Sequence, residues 1–158
     1  MADSSEQIDR IRKQFTRQAD AYIRSRQATN VAGLLGLVAL SGAQRTERVL
    51  DVACGPGFLT MAFATRCASA FGLDATDAFL ERARAEAASR GLANIEFRAG
   101  DAERLPFPDA SFDVVSCRAA FHHFARPERV LGEIKRVLAA NGRIVVADMI
   151  ATEDPMKA

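Results

Sequence analysis

The sequence predicts an α/β protein: a doubly wound, mainly parallel sheet of about five strands in the order 3-2-1-4-5, with flanking helices and an N-terminal helical segment. Three observations point there. From Arg48 onward, short apolar runs alternate with helical patterns. A glycine-containing turn joins the first run to the first of these helices, and Asp51, Asp74 and Asp101 stand at or just after the ends of the first, second and third runs. In such sheets the ligand crevice lies outside the carboxyl ends of the strands, beside the first strand. Residues ending the first four strands are therefore expected to meet around one ligand.

In chain order, residues 5–26 read as an amphipathic helix, because Ile8, Ile11, Phe15, Ala19 and Tyr22 recur at spacings of three and four. A second helix is expected over Gln27–Leu40, stopped by Ser41-Gly42. Strands follow at Arg48–Val52, Ser69–Leu73, Ile95–Arg98, Phe112–Cys117 and Arg143–Met149. Helices are expected at Phe58–Cys67, Asp77–Ser89 and Glu128–Ala139, the last closed by Asn141-Gly142. This divides the chain into a helical segment, 1–42, and a sheet domain, 43–158.

Composition bounds the function. The chain has 158 residues, enough for one domain, and 21 basic against 20 acidic residues give a net charge of +1. That balance offers no electrostatic case for nucleic acid or an anionic membrane. The basic residues of the N-terminal arm, such as Arg10, Arg12 and Lys13, read as a solvated helix face. The apolar run Val31–Leu40 is shorter than the roughly 20 residues a membrane span needs. Cys54, Cys67 and Cys117 form no C-x-x-C pair, which argues against zinc and a disulfide framework. Reduced thiols and a polar Met1–Arg10 suggest a cytoplasmic protein.

The chemistry is concentrated in Asp51-Val-Ala-Cys-Gly55-Pro-Gly57-Phe58. Gly55 and Gly57 let a ligand approach the main chain, and the following helix directs free N–H groups at it. A dinucleotide turn needs a third glycine or alanine, where this chain has Thr60. Asp51 would repel a pyrophosphate but suits a cation such as an amino acid's ammonium. Both points weigh against an NAD-dependent oxidoreductase. Asp74 is placed to accept hydrogen bonds from ribose hydroxyls, or to cap the next helix if Thr76 does not. Asp101 is placed to accept from an adenine amino group, or to serve as an ordinary turn aspartate.

Together these segments resemble the class I S-adenosylmethionine-dependent methyltransferases, most closely the branch of ubiquinone/menaquinone and other small-molecule methyltransferases. The resemblance rests on Val49-Leu-Asp-Val-Ala-Cys-Gly-Pro-Gly57, Gly72-Leu-Asp-Ala75 and Gly100-Asp-Ala-Glu-Arg-Leu-Pro-Phe-Pro108. It continues through Ser111-Phe-Asp-Val-Val115, Phe121-His-His-Phe124 and Arg136-Val-Leu138. It implies S-adenosylmethionine as cofactor and a small-molecule methyl acceptor as partner. The loop Asp51–Gly57, including Ala53, Gly55 and Gly57, would hold the methionine part. Asp74 with Ala75 would hold the ribose, Asp101 with Ala102 the adenine, and Arg118 would line the site through its backbone. The N-terminal helix would act as a lid and bring Tyr22 to the cofactor. Ala53 departs from the family, where many members have a glycine.

A methyl on sulfonium is already activated, so positioning is expected to dominate the chemistry. His122 and His123, after the fourth strand, are candidates for a general base. The family's sheet continues beyond strand five, whereas this sequence stops soon after it. That leaves strand five with an open edge and an expected tendency to form homo-oligomers. It also raises the alternative of a module that binds cofactor or a partner without turnover.

Overall fold

The computed structural model describes residues 4–25 and 29–149. Helix α1 spans Ser4–Ile23 and α2 spans Val31–Ser41. The start of the second predicted helix, at Gln27, lies outside the described residues. Strand β1 is Arg48–Val52, followed by α3 (Phe58–Ala64), β2 (Ser69–Asp74), α4 (Asp77–Ser89) and β3 (Ile95–Ala99). Then come β4 (Phe112–Arg118), a single 3-10 turn (Phe121–His123), α5 (Pro127–Val137) and β5 (Leu138–Ala147). The five strands are parallel, in the order β3-β2-β1-β4-β5.

Strand side chains alternate between the two faces. Val49, Ala70 and Val114 face α2 and α3, where Leu34, Val38 and Phe63 pack on them. Helix α4 continues this layer, with Leu80 and Ala83 against Met61 and Phe97. The opposite face presents Leu50, Leu73, Val115 and Cys117 to Val130, Ile134 and Val137 of α5. Near-continuous apolar strands suit a sheet covered on both sides. Phe97 fills a narrow gap beside two glycines. A Cβ at Gly57 would lie 2.6 Å from its Cε1, and one at Gly72 would lie 2.6 Å from its Cδ1.

Two arginines fasten the layers. Arg136 of α5 donates to the carbonyls of Leu105 and Phe107 and pairs with Glu133 and Asp109, which holds the loop between β3 and β4 against the helix. Arg143 of β5 donates to the carbonyl of Ser41 and pairs with Glu47, locking the end of α2 beneath the sheet.

The start of β5 differs from the sequence reading. Pro127 occupies the first turn of α5, where its missing N–H costs nothing. The helix ends at Val137, and Leu138 is already extended (φ −72°, ψ 135°) and opposite Phe112. The register then shifts, and Arg143 rejoins opposite Val114. Asn141-Gly142 therefore lies within an irregular stretch of strand instead of closing a helix. Ile144 and Val146 sit opposite Val115 and Cys117, on the α5 side of the sheet, yet are 42% and 45% exposed. Residues 150–158, including the segment expected to leave the β5 edge open, lie outside the described residues.

Candidate functional site

The carboxyl ends of β1, β2 and β4, with the turn after β3, open on one cleft beneath α1. Asp51, Ala53, Gly55, Asp74, Ala75, Asp101, Ala102 and Arg118 all line it, as do Tyr22 and His123. The turn after β1 is left-handed at three positions: Ala53 (φ 55°), Gly55 (φ 54°) and Gly57 (φ 77°). Gly57 caps α3 in that conformation. Ala53 adopts it with a Cβ, which is unfavourable for an L-residue.

Asp51 is buried, and both its oxygens accept hydroxyls. Thr60 donates at 2.7 Å and Ser116 at 2.8 Å. Burial pushes its carboxyl up to about 6, opposed by these two bonds and by the charge of Arg118. A buried carboxylate held this way is matched to a cationic ligand group. Thr60 was legible only as a missing glycine; its hydroxyl is the donor that orients Asp51. Ser116, 65 residues away in sequence, had no recognisable signal.

Asp74 stitches the site together. Its two oxygens accept the N–H of Gly55 at 2.7 Å and of Thr76 at 2.8 Å, while its carbonyl accepts the N–H of Gly100 at 3.0 Å. Thr76 caps α4 without a side-chain bond, so Asp74 is not that helix's cap residue. A carboxylate offers about four lone-pair sites, so the N–H groups of Gly55 and Thr76 do not exhaust its acceptor capacity. Burial raises its carboxyl, against the bonds from Thr76 and Gly55. Asp101 is partly exposed and accepts the Glu103 N–H at 2.8 Å, consistent with both a turn aspartate and a ligand acceptor.

Helix α1 covers the cleft. Phe15 and Tyr22 pack on Phe79 with ring centroids 5.7 and 5.6 Å apart. Arg12 donates to the carbonyl of Ala75 at 2.7 Å, and Asp20 pairs with Arg82 at 2.7 Å. Tyr22 stands over the turn, its ring 3.9 Å from where a Gly55 Cβ would be. Burial raises its phenol, with Arg118 opposing and Asp74 and Asp51 adding to the rise.

The two histidines part company. His123 lines the cleft and meets Phe15 edge-on at 5.4 Å, whereas His122 pairs with Asp148. Burial and the neighbouring His122 hold the His123 ring below its ordinary value, against the charge of Asp148. Cys117 is fully buried, and burial pushes its thiol far above the usual range, so it supplies no nucleophilic thiolate. Among the described residues no cluster of three or more His, Cys, Asp or Glu is set to hold a metal, and no helix is long and apolar enough to cross a membrane.

Comparison with known proteins gives the family. Residues 50–146 match the family model described as Methyltransferase domain; the chain belongs to that family. It is 38% identical over 143 residues to the uncharacterized methyltransferase YcgJ of Bacillus subtilis (strain 168), covering 90% of this chain and 56% of YcgJ. It is 42% identical over 104 residues to the demethylmenaquinone methyltransferase of Thermus thermophilus, covering 65% of this chain and 47% of that protein. The crystal structure of YcgJ superposes with a TM-score of 0.73 at 39% identity, over 79% of this chain and 54% of that one. The chain thus spans about half the length of the curated relatives it matches.

Proposed function

We propose that this chain carries the S-adenosylmethionine-binding domain of a methyltransferase acting on a small-molecule acceptor. The observation that carries this reading is the convergence of Asp51, Asp74 and Asp101 on one cleft beside a left-handed turn. The donor set fits the cofactor. Asp51 is a buried carboxylate suited to an ammonium, Asp74 has spare acceptor capacity for ribose hydroxyls, and Asp101 with Ala102 lies where an adenine edge would be read. Arg118 and Tyr22 complete the methionine end. When bound, S-adenosylmethionine supplies an activated methyl group.

The protein's part is then largely positional. α1 excludes water through Phe15 and Tyr22, which pack on Phe79 of α4, and the acceptor is held against the cofactor end of the cleft. His123, whose neutral form partial burial favours, takes a proton from an acceptor that must lose one. His122 faces Asp148 and has no direct part in the transfer. In this reading the protein is cytoplasmic, its three cysteines stay reduced, nucleic acid is not a partner, and the β5 edge joins a second copy of the chain.

Calorimetric titration with S-adenosylhomocysteine, with NAD in a parallel arm, tests the reading. Asp74→Ala should cost about 1.5–3 kcal/mol of binding through lost charge-assisted hydrogen bonds. A folded variant with undiminished affinity, or tighter binding of NAD, refutes it. Transfer of methyl to a panel of small acceptors separates an enzyme from a module that binds without turnover.

A further inference from the structure

Asp148 lies directly after β5 and clamps His122 twice. The His122 backbone N–H donates to Oδ2 at 3.0 Å, and its Nδ1 lies 2.7 Å from Oδ1. Oδ1 also accepts the Met149 N–H at 2.7 Å, so the carboxylate is oriented by its own strand end. An ionised carboxylate only accepts, which places a proton on His122 Nδ1 and leaves Nε2 as the acceptor of the neutral ring.

The next residue passes this anchoring on. The rings of His122 and His123 are 3.9 Å apart at their centroids, and His123 meets Phe15 of α1. The backbone bonds His123 N–H to Ala120 and Phe124 N–H to Phe121 are local to the 3-10 turn. From this region the Ala119 N–H donates to the carbonyl of Ala147 at the end of β5, and His122 pairs with Asp148 just after it. A line of contacts therefore runs from the end of the sheet, through the turn, to the helix over the cleft.

We propose that Asp148 is a positioning residue for the acceptor side of the cleft: by holding His122 at backbone and ring, it sets where His123 stands and how Phe15 of α1 seats against it. This rests on the reading of His123 as the acceptor-facing base. The cofactor side is held separately, by Thr60 and Ser116 on Asp51 and by Gly55 and Thr76 on Asp74. Asp148 therefore governs one side of the cleft and not the other.

The chain has two histidines, so a sample labelled with nitrogen-15 histidine reports on this pair alone. The full chain is compared with Asp148→Asn and Asp148→Ala by ring-nitrogen NMR, amide exchange in α1 and S-adenosylhomocysteine titration. The unaltered chain should show His122 with Nδ1 protonated. Asp148→Asn keeps an acceptor for the backbone N–H but turns an amide donor to Nδ1, so His122 should switch to the Nε2–H tautomer. Asp148→Ala should shift the His123 resonances and speed exchange around Phe15 on the order of tenfold, with cofactor-product affinity held within about threefold.

A folded Asp148→Ala chain with unmoved His123 resonances and unchanged exchange at Phe15 overturns the proposal, as does an affinity loss as large as the exchange change. If that variant does not fold, a tautomer switch in Asp148→Asn without any shift at His123 overturns it equally. The functional reading fails separately. It fails if the unaltered chain does not bind S-adenosylhomocysteine, or if His123→Ala leaves methyl transfer to small acceptors unchanged, and in both cases the tautomer, resonance and exchange measurements still judge Asp148.

Discussion

Thr60 reaches back from the first turn of α3 to donate its hydroxyl to Asp51 at 2.7 Å, beneath the left-handed turn that separates them. Both residues are almost fully buried. Replacing Thr60 by Val keeps the shape and removes the donor, leaving Ser116 alone on the carboxylate. Thr60→Val should cost about 1–3 kcal/mol of stability near neutral pH, read from urea unfolding. A cost below about 0.5 kcal/mol would show that the bond does not support the carboxylate.

Asp51 also sets a pH dependence. Its carboxyl titrates at about 6 in the folded chain, above the roughly 3.9 of an unfolded aspartate. The folded state binds the proton more tightly, so this group's contribution to stability falls as pH rises from about 4 to about 6. An ammonium beside Asp51 favours the ionised form and expels the proton. Affinity for S-adenosylmethionine should therefore rise between about pH 5 and pH 7. Calorimetry near pH 5.5 in buffers of different ionisation heat should register proton release, and an affinity flat across this range counts against the ammonium pairing.

The turn after β1 predicts two opposite substitutions. Ala53 at φ 55° carries about 1–2 kcal/mol of conformational cost, which Gly removes at an unfolded-state cost of about 0.5–1 kcal/mol. Ala53→Gly should raise the melting temperature by about 1–3 °C. Gly57→Ala adds a Cβ 2.6 Å from Phe97 Cε1 at φ 77° and should cost more than about 2 kcal/mol. Thermal melts of the two variants moving in the same direction would contradict this account.

Helix α1 is expected to seat more firmly when the cleft is filled. S-adenosylhomocysteine should slow amide exchange in Ser4–Ile23. Phe15→Ala, which loses the ring contacts with Tyr22, Phe79 and His123, should weaken that slowing. Exchange in α1 indifferent to the ligand would remove its role as a cover.

On β5, Ile144 and Val146 present an apolar face beyond the reach of α5. Exposed apolar strand at a sheet edge favours association. Sedimentation should show the chain associating as concentration rises, and Ile144→Lys with Val146→Lys should return it to monomer. A single monomeric species at every concentration rules this out.

Much of the architecture was readable because its signals are local. The runs at Arg48, Ser69 and Phe112 are short and largely apolar, and Asp51 and Asp74 stand at strand ends while Asp101 follows the run at Ile95. What escaped depends on contacts distant in sequence. Ser116 meets Asp51 only after β1 and β4 pair, and Asp148 reaches His122 only once β5 is in register. The start of β5 was missed for another reason. Arg136-Val-Leu138 continues a helical pattern, but Leu138 gains more by pairing with Phe112. His122 and His123 look alike in sequence, and only the 3-10 turn separates a half-buried neighbour of α1 from a partner of Asp148.

Phe97 touches the spaces that side chains at Gly57 and Gly72 would fill. The three positions consequently form one unit of inheritance. While the ring stays, neither glycine can drift; a smaller residue at 97 would remove the clash with the ring at both, leaving the left-handed backbone at Gly57 and the Cys54 sulfur 2.8 Å from a Cβ at Gly72. Among homologues a large ring at 97 should therefore accompany glycine at both 57 and 72, although one lies in the crevice turn and two lie in the sheet.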